Sequence, residues 1–141
     1  MKNTISVQTI VTAHLARVWE CWNKPEHINN WTFADPSWGA EAKENDLRVC
    51  GKFNITMFAK DKSASFDFTG KYDNVLEYKL IEYTMDDGRN VKVEFEKTPE
   101  GVRITETFAP ENENTEEMQR SGWQAILNNF KKYVEITINQ E

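Results

Sequence analysis

The sequence predicts an α+β fold: a curved antiparallel sheet wrapped around one long C-terminal helix, with elements in the order β-α-α-β6-α. Three observations carry this. Between Gly51 and Phe108, apolar and polar residues alternate in short runs divided by turn residues, the pattern of an antiparallel sheet covered on one face. Beyond them, Trp123, Ile126, Leu127, Phe130, Tyr133 and Val134 recur at helical spacing as a broad apolar stripe. Ahead of them, one alternating run gives way to a helical period. Helices gathered on one face of an antiparallel sheet define the α+β class.

The elements follow in order. Residues 3–12 read as a strand, with Ile5, Val7 and Thr9 alternating against Ser6 and Gln8. Leu15, Val18, Trp19 and Trp22 then share one helix face, and Thr12 is the expected cap. Pro25 ends that helix and opens a second short one reaching about Trp31, because proline is accepted in a first helical turn. Pro36, Ser37, Trp38 and Gly39 read as a loop, and Ala40 to Asn45 as a short edge strand.

Phe53, Ile55 and Met57 alternate in the next strand, and Lys60 to Ser63 turn the chain. Phe66, Phe68 and Tyr72 share a parity with Gly70 between them, where a glycine marks a bend or a close backbone approach. Ile81, Tyr83 and Met85 form the following strand, and Asp86-Asp87-Gly88 a hairpin turn. Val91, Val93 and Phe95 alternate with Lys92, Glu94 and Glu96. After a turn at Pro99-Glu100-Gly101, Val102, Ile104, Glu106 and Phe108 share one face. Asn114 is the expected cap of the last helix, with Glu117 three residues on. Running from about 115 to 137, that helix spans roughly 35 Å, enough to cross the sheet.

The 141 residues fit one domain. With 17 Lys+Arg against 23 Asp+Glu, the net charge of -6 argues against nucleic acid as a partner. No apolar run reaches the length of a membrane span, and Met1 to Thr4 carry no signal-like segment. Cys21 and Cys50 are far apart, so free thiols in a reducing cytoplasm are expected. His14 and His27 are the only histidines, and no metal-ligand spacing, phosphate loop or nucleophile elbow occurs. No cofactor is expected.

Several local patterns resemble a known family. They are Val18-Trp19-Glu20-Cys21-Trp22 followed by Pro25-Glu26 and Trp31, then Gly51-Lys52-Phe53, Phe68-Thr69-Gly70-Lys71-Tyr72, Leu80-Ile81-Glu82-Tyr83-Thr84 and Gly122-Trp123. In this order and spacing they resemble proteins similar to the C-terminal domain of the activator of Hsp90 ATPase, within the START and Bet v 1-like superfamily. The resemblance covers nearly the whole chain and implies the helix-grip fold. Cys50 stands where the family often has the first of two glycines. The co-chaperone's separate N-terminal Hsp90-binding domain has no counterpart here, so the resemblance does not imply Hsp90 activation. Most stand-alone members resemble carriers of small molecules or lipids, or remain unassigned.

One helix about 10 Å wide does not fill the concavity of a curled sheet, so an internal hydrophobic cavity is expected unless large side chains fill it. Its expected walls are Phe53, Ile55, Phe66, Phe68, Tyr83 and Val93, together with Phe95, Ile104, Trp123, Ile126 and Phe130. Trp22, Trp31, Phe33 and Trp38 gather at the helix-and-loop end, either as a gate or as ordinary packing. Tyr83 and Tyr133 offer hydroxyls, unless they are core edges. Glu106 shares the face of Ile104 and Phe108. Either it projects into the cavity as a carboxyl able to serve as general acid or base, or a bulge leaves it in solvent or paired with Arg103. The leading expectation is a binder of a small apolar or amphipathic ligand. A cyclase- or dehydratase-like enzyme using Glu106 and a module that binds a protein partner are the alternatives.

Overall fold

The computed structural model describes residues 4–139. Strand β1 (Ile5–Val11) is followed by helices α1 (Leu15–Asn23) and α2 (Pro25–Ile28). Strands β2 (Trp38–Asn45), β3 (Lys52–Ala59), β4 (Ser65–Leu76), β5 (Leu80–Met85), β6 (Asn90–Thr98) and β7 (Gly101–Phe108) come next, and α3 (Glu116–Asn139) ends the described chain. Asn3, the expected first residue of the opening strand, lies outside the described residues, as do Met1 and Lys2. The seven strands form one antiparallel sheet in the order β1-β7-β6-β5-β4-β3-β2, so β1 and β2 are its edges. It is the curled half-barrel of a helix-grip fold, with α3 held in its grip.

Two irregularities bend the sheet. The β2–β3 register shifts between Ala42 and Glu44, and the β4–β5 register between Tyr72 and Asn74, and each bulge adds local twist. Gly70 meets the expectation of a close approach. A methyl group there would lie 2.7 Å from the Phe53 ring and 2.8 Å from the Thr84 carbonyl oxygen, so this ring rests directly on the backbone of β4.

Helix α3 runs beside edge strand β1. Its side chains take up the strand's outward backbone groups: Gln124 Nε2 donates to the Gln8 carbonyl at 3.1 Å and Lys131 Nζ to the Ile10 carbonyl at 2.7 Å. The Thr12 N–H donates to Glu135 Oε2 at 2.8 Å. An edge covered in this way offers no ladder to another chain. Leu127, Phe130 and Val134 of α3 pack with Ile5, Val93 and Ile104 of the sheet in one continuous buried core.

The helix starts differ from expectation. Strand β1 and the turn after it, where the Ala13 N–H bonds the Val11 carbonyl at 3.0 Å, carry the chain past Thr12, so the N-cap of α1 is His14, with no side-chain cap bond. At α3 it is Thr115, not Asn114, whose hydroxyl accepts the Met118 N–H at 3.1 Å. Asn114 instead gives its carbonyl to Gln119 Nε2 at 2.9 Å. Helix α2 stops at Ile28 rather than Trp31, because side chains claim the backbone there: the Thr32 hydroxyl bonds the Ile28 carbonyl at 2.9 Å and Asn129 Nδ2 the Trp31 carbonyl at 3.0 Å. Trp38 and Gly39 belong to β2 rather than to the preceding loop. Cys50 has φ +70°, the left-handed conformation that a glycine adopts without cost. The turn is therefore kept with a residue less suited to it.

A candidate ligand cleft

Because α3 lies toward β1, it leaves the other half of the concave face less filled. A cleft of about 470 Å³ opens there, within the usual range of about 300–1,000 Å³ for small-molecule sites. Strand β3 contributes Phe53, Ile55 and Met57, and β4 contributes Phe66, Phe68 and Tyr72. Ile81, Tyr83 and Met85 come from β5, Glu106 from β7, and Trp123 and Ile126 from α3. Trp22, Ile28 and Trp31 close the helical end.

The rings support one another. Phe53 meets Phe68 at 5.3 Å and Tyr83 at 4.9 Å between centroids, and Trp22 meets Trp31 at 4.8 Å. Trp123 stacks on Phe108 at 3.9 Å. Most polar groups at the helical end are already bonded. The Trp31 indole N–H donates to the Cys21 carbonyl at 2.9 Å, the Tyr72 hydroxyl to Asn45 Oδ1, and Asn45 Nδ2 to the Asn23 carbonyl at 2.6 Å.

Glu106 is the exception. The β1–β7 and β6–β7 registers run without a shift, which sets it opposite Val7 on one side and Val93 on the other. Strand parity therefore holds and turns the side chain to the concave face, where it is 7% exposed. Arg103 pairs instead with Glu96 at 2.7 Å. Among the described residues the Glu106 carboxyl has neither a hydrogen bond nor an ion pair. Burial pushes its pKa up to about 8, so it holds its proton at neutral pH. Burial, and then the nearby Glu106, hold the Tyr83 hydroxyl well above the usual tyrosine range. The cleft thus contains a neutral acid and a neutral phenol, each able to donate.

At the mouth stand Asp67, Asp86, Asp87 and Arg89. Arg89 Nε donates to Asp87 Oδ2 at 2.8 Å. The Thr56 hydroxyl donates to Asp67 at 2.7 Å, and the Thr69 hydroxyl to Asp86. Thr56 and Thr69 alternate with the lining Ile55, Met57 and Phe68, so these two carboxylates turn to the outer face of the sheet.

Of the residues expected at the cavity, the structure brings ten together: Trp22, Trp31, Phe53, Ile55, Phe66, Phe68, Tyr83, Glu106, Trp123 and Ile126. Phe66 is a rim residue, 54% exposed. The other seven lie elsewhere. Val93, Phe95, Ile104 and Phe130 face the expected way but are fully packed, because α3 fills their half of the sheet. Phe95 is sandwiched by Trp19 at 5.1 Å and Trp22 at 5.6 Å. Tyr133 bonds His27 Nδ1 through its hydroxyl at 2.6 Å and ties α3 to α2. Trp38 lies against Phe66 at 6.0 Å outside the lining, and Phe33 serves through its carbonyl, which accepts from Asn129 at 3.3 Å. The sequence reading missed Ile28, Met57, Tyr72, Ile81 and Met85 as lining. The last four carry the parity of neighbours it did choose. It also missed the Asp87–Arg89 pair at the mouth.

A profile of the family described as activator of Hsp90 ATPase homolog 1-like protein matches residues 12–135. The chain belongs to this family. A solved AHSA1-like protein of Aeromonas hydrophila is 40% identical, with a TM-score of 0.90 over 96% of this chain and 94% of that one. A protein of Cytophaga hutchinsonii is 48% identical, with a TM-score of 0.78 over 99% and 96%. One from Chromobacterium violaceum is 21% identical at a TM-score of 0.84 over 94% and 98%, a likeness of fold alone. No curated protein matches. For an AHSA1-like chain, membership assigns the fold, and any ligand is argued from the side chains of the site itself. No described helix is long and apolar enough to cross a membrane, and the described residues contain no cluster of ligands suited to a metal ion.

Proposed function

We propose that this AHSA1-like chain binds a small apolar or amphipathic molecule in the cleft between α3 and strands β3 to β5. The supporting observation is the combination of an aromatic-walled space of about 470 Å³ with one unpartnered buried carboxyl inside it. Apolar burial at about 25 cal/mol per Å² supplies the affinity, and the Glu106 and Tyr83 hydroxyl groups fix orientation. Two cysteines that form no disulfide, Cys21 buried and Cys50 exposed, fit a reducing cytoplasm as the setting.

The test is a titration with the neutral probe naphthylmethanol, read through tryptophan fluorescence, since Trp22, Trp31 and Trp123 line the cleft. Phe68 touches Phe53 and Tyr83, so Phe68→Arg sets a guanidinium among the rings. The variant is expected to lose binding by about tenfold or more, the cost of one poorly placed charge. Equal binding by wild type and a folded Phe68→Arg protein overturns the proposal.

A second reading rests on Glu106 itself. A carboxylic acid that keeps its proton at neutral pH beside a bound molecule is suited to general-acid catalysis of the cyclase or dehydratase kind. Under that reading Glu106→Gln retains binding and abolishes turnover.

A further inference from the structure

We propose that the cleft is built for an organic cation: an amine with an apolar or aromatic body, whose ammonium group reaches Glu106 while its body lies among the rings. This rests on the ligand-binding reading above and narrows its chemistry.

The protein leaves the Glu106 carboxyl without a partner among the described residues. Glu106 sits between Val7 and Val93, where a valine would fit the pattern, and it is buried. Its oxygens open to the cleft rather than being sealed in the core, so a ligand donor can bond them there. An ammonium does so most strongly, through a charge-assisted bond to the ionised carboxyl.

Among the described residues, the border of the cleft holds no free cation for an anionic head group. Arg89 is the one basic residue of the lining, and its guanidinium is already paired with Asp87 at 2.8 Å. A fatty-acid carboxylate would therefore enter without an ion-pair partner, whereas an ammonium finds one in Glu106.

Trp22, Trp31, Phe53, Phe68, Tyr83 and Trp123 present rings around the space, and aromatic faces attract cations in a way that aliphatic walls do not. Proton balance follows directly. When an ammonium ion binds, Glu106 releases its proton to solvent. When a neutral amine enters, the carboxyl proton passes to its nitrogen. No other bond is made or broken.

Naphthylmethylamine, naphthylmethanol and naphthylacetate carry one ring system with positive, neutral and negative heads. Calorimetric titration of the full chain at neutral pH is expected to rank them in that order, with the amine about tenfold or more tighter than the acetate. The amine's apparent heat should differ between buffers of different ionisation enthalpy, reporting release of the Glu106 proton. In Glu106→Gln, naphthylmethanol should still bind, while the amine's advantage over it shrinks to about twofold or less. If naphthylmethanol binds both proteins and the amine is not preferred, the cation inference falls and the broader ligand reading stands. If none of the three binds the wild type, both fall. If the Gln variant does not fold, the wild-type ranking and the proton release decide alone, and acetate binding as tight as the amine's overturns the proposal.

Discussion

At the scale of single residues, Glu106 carries the largest consequence. In the unfolded chain its carboxyl titrates in the ordinary glutamate range, near 4.5, whereas in the fold burial moves it to about 8. Below the lower value both states hold the proton and Glu106 imposes no pH dependence. Between the two values the folded state retains a proton that the unfolded state releases, so its contribution to stability is lost as pH rises through that window. The slope is about 1.4 kcal/mol per pH unit. Asp35, held low first by the Ser37 backbone N–H, and Glu111, held low first by that of Asn114, act in the opposite sense and only at more acid pH. Glu106→Gln is therefore expected to gain stability relative to wild type steadily between about pH 5 and 8, measured by urea denaturation at several pH values. A constant difference across that range would mean that the carboxyl is hydrated. This residue was legible in the sequence because β7 alternates without interruption, and parity alone chose its face. Its lack of a partner was not legible, since Arg103, three residues from Glu106 and a plausible ion-pair partner, turns outward to Glu96.

Among the elements, the contact between α3 and β1 decides where the cleft lies. It is fastened by polar side chains as well as by the core. Glu135 Oε2 accepts both the Thr12 N–H at 2.8 Å and Lys131 Nζ at 2.7 Å, and Lys131 reaches on to the Ile10 carbonyl. Exposed ion pairs contribute about 0–1 kcal/mol, whereas a backbone N–H bonded to a charged acceptor contributes about 1.5–3 kcal/mol. Glu135→Ala is thus expected to cost roughly 1–2 kcal/mol by the same measures, and Glu135→Gln, which keeps an acceptor for Thr12, less than half of that. Thermal melts of the two variants separate the terms, and equal losses would assign the effect to the ion pair. None of this was readable beforehand. Gln124, Lys131 and Glu135 stand off the apolar stripe, where the sequence shows only a solvated helix face. The caps at His14 and Thr115 eluded it for a related reason: a cap is set by where the backbone leaves the preceding strand or turn, and Thr12 and Asn114 have suitable side chains at the wrong point of that path.

For the whole molecule, the sheet divides into two halves of different character. The period-two and helical patterns were enough to give its strand count, the helix-grip order and the concave-facing residues. They could not say how the helix would divide that face, because the division depends on the lateral position of α3, and both halves carry the same apolar alternation. On the β1, β7 and β6 side, Val93, Ile104, Leu127 and Phe130 are packed solid. Across β3, β4 and β5, Phe53, Phe68 and Tyr83 border an open cleft. Opening free energy rises with buried apolar contact, so native-state hydrogen exchange should be slowest at the amides of β6 and β7. The amides of β3 and β4 are expected to exchange by local opening at lower free energy. On the sheet, a molecule bound in the cleft adds contacts to the weaker half and, in the packed half, only at Glu106. Saturating naphthylmethylamine should therefore slow exchange in β3, β4 and β5 and around Glu106 while leaving β1 and the N-terminal half of β7 unchanged, up to the limit set by global unfolding. At about 100 times its dissociation constant the added protection is about 2.7 kcal/mol. Protection spread evenly over all seven strands would place the ligand against the whole sheet, and protection centred on β1 and α3 would place it on the opposite side of the helix from the cleft.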